Sequence, residues 1–278
     1  MQESDTESTS SAERAIVDTP VEYGLLVEER RRRICDLLEE HGRVTVDVLT
    51  RRFGTSAVTI RIDLSALERA GELMRTHGGA LLRRDDEDPP LAVKQTLHHA
   101  EKVRIARVAA SLIQDGETII LDSGTTTAEI AKQIRKTDGK SINVITNALN
   151  VAALLVDVPS VRLIMPGGML RRESNSLSGH LAEAALSELR ADRLFLGADG
   201  IDPELGVMTP HLPEAQLNAK MIEISRRVIA VADASKLMRR NISRIARVEQ
   251  LHTLITDSGA APAVVEELRR RGVEVLLA

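Results

Sequence analysis

The chain has 278 residues, 43% of them apolar, and a formal net charge of −4 at pH 7. This length exceeds the usual size of one domain, so we expect two globular domains with packed cores. No apolar run approaches the roughly 18 residues that cross a bilayer, and the N-terminus lacks signal-peptide blocks, which predicts a cytoplasmic protein without membrane contact. The single cysteine, Cys35, excludes an intramolecular disulfide and a cysteine-based zinc cage, and we expect it at a buried helix position.

Positive charge is concentrated in one segment of the chain. Residues 1–24 have a net charge of −5 and no periodicity, which predicts a disordered tail, whereas residues 25–84 have a net charge of +3. The run EERRRR at residues 28–33 fits a solvated helix face or a DNA contact, and composition leaves both open. Aromatic residues are 1% of the chain, so recognition by stacked rings is nearly excluded.

Three short helices are predicted in residues 25–84. Gly42 ends the first, and Thr45 and Ser56 can cap the second and third. Gly54 breaks the chain between the last two, which indicates a helix-turn-helix whose third helix reads a major groove. The apolar residues that recur at helical spacing are Ile34, Leu37, Leu38, Val46, Leu49, Phe53, Ala57, Ile60, Leu64 and Leu67.

The third helix and the segment after it supply candidate DNA contacts. If Ile60 and Leu64 face the core, the outward or flanking residues of that helix are Ser56, Val58, Thr59, Arg61, Ile62 and Ser65. The following ELMRTHGGALLRR predicts two strands about a Gly78–Gly79 turn, a β wing that can reach phosphates. Its candidate phosphate contacts are Arg75, His77, Arg83 and Arg84.

The segment GRVTVDVLTRRFGTSAVTIRIDLSALERAGELMRTHGGA, residues 42–80, resembles the N-terminal signature of the DeoR family of bacterial sugar-metabolism regulators. The resemblance rests on the capped turn, the TIR.DL..LE..G core and the HGGA wing, and it implies binding to double-stranded operator DNA. The family commonly has a basic or polar residue where this chain has Ile62. An outward apolar side chain there leads us to expect packing on a thymine methyl.

After the wing, RRDDEDPP is charged and ends in two prolines, so residues 85–93 are predicted as a linker. Residues 94–278 then alternate apolar runs with amphipathic helices, which indicates a mainly parallel sheet covered on both faces. Such sheets bind ligands at the carboxyl ends of strands, at a topological switch point. The predicted strands are TIIL, INVIT, VRLIM, RLFLG, RVIAVA, HTLIT and VEVLL.

The stretch ETIILDSGTTTAEIAKQI predicts a strand, a loop of small residues and a helix. The first turn of a helix has unpaired N–H groups and a partial positive charge, so an anion is favoured there. The alternative is that these hydroxyls simply cap the helix. The lysine of a nucleotide-binding P-loop is missing, so we expect a lone phosphate and neither cofactor nor metal. The predicted phosphate-binding residues are Asp122, Ser123, Gly124, Thr125, Thr126 and Thr127.

Other predicted strand ends carry polar residues and glycines that turn chemistry alone would explain, although their shared position favours one polar crevice. The predicted sugar-binding residues are Asn147, Gly167, Gly168, Arg171, Ser176, Asp199, Gly200, Glu214 and Lys236. Taken in their order along the chain, these segments resemble the sensor half of the DeoR family. That half is similar in fold to ribose-phosphate isomerases and glucosamine-phosphate deaminases. The resemblance covers residues 25–278. It implies a Rossmann-like α/β sensor domain that binds a phosphorylated sugar.

Within that family, TPHLPEAQLNAKM at residues 209–221 most resembles the branch that regulates N-acetylgalactosamine and related hexosamine use. Many members have Lys four residues after the Glu of this segment, where this chain has Asn218. The departure favours a hexosamine-type ligand over a glycerol- or fructose-type one.

A regulator and an enzyme remain to be weighed. Asp199, Glu214 and Lys236 are residue types that an isomerase or deaminase would use, but no paired acid/base motif is present. We therefore expect a ligand-responsive repressor that is not an enzyme, with a sugar-phosphate isomerase or deaminase fused to a DNA-binding module as the alternative. One helix-turn-helix reads a short half-site, so a homo-oligomer is expected, with dimer or tetramer and induction or repression left open.

Overall fold

The computed structural model describes residues 24–69, 72–76, 78–82, 91–137 and 139–278. The chain divides into two compact units between Glu87 and Asp88. The predicted contacts His77, Arg83 and Arg84 lie outside the described residues, as do residues 1–23 of the predicted tail and residues 85–90 of the predicted linker.

In its described residues the first unit contains three helices and three short strands, and its helix boundaries confirm the sequence signals. Gly42, with φ 74°, ends the first helix. Thr45 Oγ1 accepts from the Val48 N–H at 3.3 Å, and Ser56 Oγ accepts from the Thr59 N–H at 3.1 Å, so both predicted caps are present. The elements are α1 (Val27–His41), β1 (Arg43–Thr45), α2 (Val46–Phe53), α3 (Ala57–Arg69), β2 (Leu73–Thr76) and β3 (Gly79–Leu82).

The core of this unit lies between the apolar faces of the helices and a three-stranded antiparallel sheet in the order β1-β3-β2. Strand β1 was not predicted, because three residues are too few to show a period. A Cβ on Gly79 would lie 1.9 Å from the Val44 carbonyl oxygen, so only glycine allows β3 to approach β1. Cys35 is on α1 as expected but only partly buried, and burial raises the pKa of its thiol.

Two arginines of the run at the start of α1 form ion pairs within the unit. Arg30 Nε donates to Asp63 Oδ2 at 2.6 Å, and Arg31 Nε donates to Asp63 Oδ1 at 3.1 Å. Arg30 and Asp63 are both buried. The run is therefore neither wholly solvated nor wholly available to DNA, because two of its arginines join α1 to α3.

The second unit is built on a seven-stranded parallel sheet in the order β15-β14-β12-β9-β4-β5-β6. All seven apolar runs predicted as strands are strands of this sheet. They are β4 (Thr118–Leu121), β5 (Ile142–Thr146), β6 (Val161–Ile164), β9 (Ala191–Gly197), β12 (Ser225–Val231), β14 (Thr253–Thr256) and β15 (Glu274–Leu277).

Helices cover this sheet, and short strands lie outside it, among them the hairpin of β7 and β8. Among the described residues, the helices are too short or too polar to span a membrane. The helices are α4 (Leu91–Thr96), α5 (His99–Ser111), α6 (Thr125–Lys136), α7 (Leu149–Leu155), α8 (His180–Ser187), α9 (Leu212–Glu223) and α10 (Pro262–Arg270). The short strands are β7 (Met169–Arg171), β8 (Ser176–Ser178), β10 (Gly200–Asp202), β11 (Gly206–Thr209) and β13 (Ser243–Ala246).

Helix α4 begins inside the range predicted as linker. The prediction followed the charge and prolines of RRDDEDPP, but the Leu91 side chain is buried and its N–H donates to the Glu173 carbonyl at 3.2 Å. Tertiary contacts therefore order residues 91–93 as part of the second unit.

The switch point of the large sheet lies between β4 and β9. From β4 the chain adds β5 and β6 on one side, and it later adds β9, β12, β14 and β15 on the other. Loops that leave neighbouring strands diverge at such a point and open a crevice at the carboxyl ends of the strands. The loop predicted to bind phosphate, residues 122–127, comes directly after β4 and lies at this point.

Candidate nucleic-acid interface and effector site

Helix α3 has one buried face and one exposed face, as its apolar period predicts. Ile60 and Leu64 are completely buried, while Val58 and Ile62 are 64% and 57% exposed. The other predicted reading residues are also accessible: Ser56 and Arg61 are exposed, and Thr59 and Ser65 are partly so. Val58 and Ile62 are four residues apart, so they are neighbours on the exposed face of the helix.

The wing contact Arg75 is engaged within the unit. Arg75 Nη1 donates to Ser65 Oγ at 2.7 Å, and Ser65 Oγ donates to the Arg61 carbonyl at 2.8 Å. Sequence reasoning gave Arg75 and Ser65 as separate DNA contacts. The structure uses them to join β2 to α3, so they position the reading helix, and a guanidinium in that bond is less free to reach a phosphate.

The loop after β4 leaves the start of α6 without a side-chain cap. Its N-cap is Gly124, at φ 137°, a conformation that favours glycine. Thr127 Oγ1 donates to the Gly124 carbonyl at 3.2 Å, and among the described residues no side chain accepts a capping hydrogen bond at this helix start. The structure thus contradicts the alternative in which these hydroxyls cap the helix. Thr125, Thr126 and Thr127 are all buried.

Asp122 joins the two sides of the switch point. Its carboxylate accepts from the Ser123 N–H at 2.6 Å, the Gly197 N–H at 3.1 Å and Asn218 Nδ2 at 3.2 Å. Burial raises the pKa of this carboxyl well above its ordinary value, and nearby Glu214 and Asp199 raise it further. Asp122 therefore connects the loop to the end of β9 and to α9, and it retains its proton to higher pH than an exposed aspartate.

Glu214 connects the loop to the β7–β8 hairpin. Ser123 Oγ donates to Glu214 Oε1 at 3.2 Å, and Arg171 Nη1 donates to Glu214 Oε2 at 3.4 Å. Three elements distant in sequence thus meet at one carboxylate, so the structure brings these three predicted residues together. Arg171 also places a guanidinium close to the uncapped helix start.

A second cluster surrounds Asp199. Lys94 Nζ donates to Asp199 Oδ1 at 3.0 Å, and Thr209 Oγ1 donates to Asp199 Oδ2 at 3.1 Å. Burial raises the pKa of Asp199, but Lys94 and Lys236 outweigh burial and lower it overall. Burial lowers the pKa of Lys236 despite the opposing effect of Asp199. Because Asp199 comes two residues after Gly197, whose N–H donates to Asp122 Oδ2 at 3.1 Å, this cluster adjoins the loop.

Lys94 and Lys102 were missed by sequence reasoning, because Lys94 directly follows the predicted linker and Lys102 lies in an ordinary amphipathic helix. Lys102 Nζ donates to the carbonyls of Lys94 at 2.5 Å and Leu97 at 2.7 Å. Burial lowers the pKa of Lys102 to about 8. This side chain fastens the end of α4, so Lys94 is held where it meets Asp199.

The remaining predicted sugar contacts include residues with packing roles. A Cβ on Gly168 would lie 2.6 Å from the Ser178 carbonyl, and one on Gly200 would lie 2.2 Å from the Arg239 carbonyl, so both glycines allow close backbone approach. Gly167 has a φ of 76° and open space around it.

Asn147 and Ser176 are buried where the hairpin meets the end of β5. Asn147 Nδ2 donates to the Leu177 carbonyl at 3.1 Å, and the hydroxyls of Ser174 and Ser176 are bonded to each other at 2.7 Å. No group of three metal-ligating side chains occurs in the part of the chain that the structure describes.

A winged helix-turn-helix with an exposed reading face, followed by a parallel α/β unit with a polar crevice, defines a DNA-binding regulator with a sensor domain. Family models agree: the DeoR-like helix-turn-helix domain matches residues 30–85, and the DeoR C terminal sensor domain matches residues 97–258. The chain belongs to the DeoR family of transcriptional regulators.

Relatives and one solved structure place this membership in context. The chain is 43% identical over 253 residues to a putative aga operon transcriptional repressor of Escherichia coli O157:H7, covering 90% of this chain and 93% of that protein. It is 36% identical to the transcriptional repressor AccR of Agrobacterium fabrum, covering 88% and 96%. A ribose 5-phosphate isomerase A from Methanocaldococcus jannaschii matches 49% of this chain and 53% of its own, with 17% identity and a TM-score of 0.36. These two relatives are named as repressors and not as enzymes, and this chain is a transcriptional regulator like them.

Proposed function

We propose that the protein represses carbohydrate catabolic genes, among which amino-sugar genes fit best, and that a phosphorylated sugar changes its affinity for operator DNA. The observation that carries the effector proposal is the uncapped start of α6 at the switch point. Its three buried threonines come after a glycine that has no Cβ to obstruct a ligand. Unpaired helix N–H groups, the helix dipole and nearby hydroxyls together favour a phosphate.

The amino-sugar part of the proposal rests on two further points. The aga operon relative covers nearly the whole chain, and Asn218 stands where many family members have Lys. An amide at this position leaves the buried carboxyl of Asp122 without an adjacent cation, which a ligand amino group would supply. Such a group could also donate a hydrogen bond to Asn218 Oδ1. This oxygen is buried and has no partner among the described residues.

Operator reading is assigned to the exposed face of α3. Arg61 is the side chain suited to bidentate contact with a guanine, and Ile62 is suited to a thymine methyl. Ser56 and Thr59 are placed for phosphates near the helix start, although they also bond to each other at 2.9 Å. One such helix covers a short half-site, so we propose a homo-oligomer, and a regulator of this kind works in the cytoplasm with the DNA.

The coupling between the sites is proposed to run through α4. This helix is the first described element of the second unit, and residues 83–90 connect it to β3. Lys94 binds Asp199 in the crevice, and the Leu91 N–H binds the carbonyl of Glu173 in the turn of the hairpin. A ligand that engages Asp199 alters the first attachment, and a ligand that moves the hairpin alters the second. By linkage, DNA must then change the affinity for that effector by the same factor as the effector changes the affinity for DNA.

Binding measurements on the full chain test the phosphate loop. Isothermal titration with hexose and hexosamine 6-phosphates should give binding that Thr125→Ala combined with Thr126→Ala weakens by about tenfold or more, since each lost hydrogen bond to a charged group is worth about 1.5–3 kcal/mol. Thr137→Ala, at the far end of the same helix, is the control and should leave affinity unchanged. Unchanged affinity in the double variant would mean that the loop has a structural role and does not bind the phosphate.

The crevice also holds the residue types of an isomerase or deaminase, so turnover is worth measuring. A regulator needs binding without chemistry, and we expect neither ammonia nor ketose from hexosamine phosphates incubated with the protein. Sustained release of either product would show that the protein is also an enzyme.

A further inference from the structure

Three buried polar atoms at the end of β5 have no hydrogen-bond partner in the described part of the chain. They are Asn147 Oδ1 and both side-chain amide atoms of Asn150, Oδ1 and Nδ2. Asn147 is 1% exposed. A buried polar group without a partner destabilises a folded protein, and native structures contain few of them. Three within four residues therefore require partners from outside the chain, which are either ordered water or a ligand.

The bonding needs of the two amides are fixed. Asn147 Nδ2 donates to the Leu177 carbonyl, so its Oδ1 is the atom left over and requires a donor. Asn150 has neither atom bonded, so in either orientation of its amide it requires one donor and one acceptor. Together the pair requires two donors and one acceptor.

The pair lies beside the phosphate loop. Strand β5 is hydrogen-bonded to β4, and neighbouring strands are about 4.8 Å apart, so the segment after β5 is adjacent to residues 122–127. The β7–β8 hairpin spans both places. It bonds to Asn147 through Leu177 in both directions, at 3.1 and 2.8 Å, and its Arg171 reaches the Glu214 that holds Ser123.

Two adjacent hydroxyl groups satisfy these needs completely. One hydroxyl donates to Asn147 Oδ1, and the other donates to Asn150 Oδ1 while accepting from Asn150 Nδ2. An acetamido group brings only one donor and leaves an oxygen unpaired, and a phosphate dianion brings none. We propose that Asn147 and Asn150 form a subsite for two neighbouring hydroxyl groups of the sugar whose phosphate occupies the loop, an inference that rests on the proposed function.

Asn150 offers a test that a merely structural residue would fail. Because its amide is unbonded, Asn150→Leu, which has the same number and branching of side-chain heavy atoms, should leave the stability of the ligand-free protein unchanged or higher. The same variant should weaken the tightest-binding hexose or hexosamine 6-phosphate by about tenfold or more and change the affinity for inorganic phosphate less than about twofold. The matched control is Asn143→Leu on β5, the strand that precedes Asn150, since Asn143 Nδ2 donates to Thr118 Oγ1 at 3.1 Å near the start of β5.

The control should lower stability and leave sugar-phosphate affinity as it is, the reverse of the Asn150 result. If Asn150→Leu lowers stability and spares affinity, ordered water alone fills the site and the subsite is refuted. If wild-type protein binds sugar phosphates no tighter than inorganic phosphate, the subsite is also refuted while the phosphate loop stands. If no phosphate compound binds at all, the proposed function itself fails.

Discussion

The reading face of α3 and the crevice at the switch point place functional side chains in opposite ways. On α3 the apolar residues fill the core, and the candidates for recognition, such as Arg61 and Ile62, are those left in solvent. In the crevice most of the polar candidates are buried or partly buried, and several bond to one another or to neighbouring side chains, as Asp122 does to Asn218. A periodic pattern identifies the residues that a helix exposes, whereas only a folded structure shows how buried polar groups pair.

The first unit also has a buried polar pair of the kind found in the crevice, and the largest loss of stability is expected when this pair is broken. Asp63→Ala should destabilise the first unit by about 3–5 kcal/mol, because Arg30 is left buried without its carboxylate. Unfolding of the full chain in urea, followed by circular dichroism, measures it. Asp36→Ala breaks an exposed pair with Arg33 and should cost less than about 1 kcal/mol. Equal costs for the two variants would mean that the buried pair adds nothing.

Loss of the exposed guanidinium on α3 should affect DNA alone. Arg61→Ala is expected to weaken operator binding about 10- to 100-fold, since a bidentate base contact is worth about 1–3 kcal/mol, with no change in stability. Fluorescence anisotropy on the DNA upstream of the protein's gene measures the affinity. Arg226→Ala removes an exposed arginine from the second unit and serves as control. A similar loss in both variants would point to bulk charge and not to reading by α3.

The buried acid of the crevice should respond to pH in a way that exposed acids do not. The pKa of Asp122 is raised in the folded protein, so its contribution to stability is fully present below about pH 3.8 and is lost as pH rises through the raised pKa. Asp122→Asn should therefore gain stability relative to wild type as pH rises through that window. Urea unfolding at a series of pH values measures the difference.

The exposed Asp157 gives the opposite sign for comparison. Arg135 lowers its pKa, so its contribution is present above the ordinary aspartate pKa and is lost on acidification. Asp157→Asn should show no relative gain as pH rises. Parallel curves for Asp122→Asn and wild type would mean that the carboxyl of Asp122 titrates like an exposed one.

The smallest effect is expected from a single apolar contact with DNA. Replacing thymine by uracil across the operator should weaken binding by about fourfold at one position, the value of about 0.8 kcal/mol for one methyl group. Ile62→Ala should abolish this sensitivity, whereas Val58→Ala should retain it. If no thymine matters to the wild-type protein, Ile62 does not pack on a methyl.

Sequence accounts for the elements of both units better than for their polar contacts. Caps at Thr45 and Ser56 and seven apolar runs were enough to predict the helix-turn-helix and the large sheet, because both signals are local. Strand β1 escaped prediction, since its pairing with β3 depends on a close approach at Gly79. Residues 91–93 were predicted as linker because composition does not report a tertiary contact such as that of Leu91.

The candidate site divides in the same way. A strand followed by DSGTTT predicted where the loop lies and which residues form it. The bonds of Asp63 to Arg30, of Lys94 to Asp199 and of Asp122 to Asn218 span 33 to 105 residues, and no local pattern encodes them. The unbonded amide of Asn150 was equally hidden, because an asparagine near a helix start is ordinary turn chemistry.

The most direct test of the central claim is the affinity for upstream DNA, measured by fluorescence anisotropy while sugar phosphates and their unphosphorylated counterparts are added. We expect one phosphorylated sugar to change DNA affinity, its unphosphorylated form to have no effect, and the affinity for that sugar phosphate to change on DNA by the same factor. Tight DNA binding that no compound alters would contradict the account of a phosphate-sensing regulator, while leaving the reading face of α3 in place.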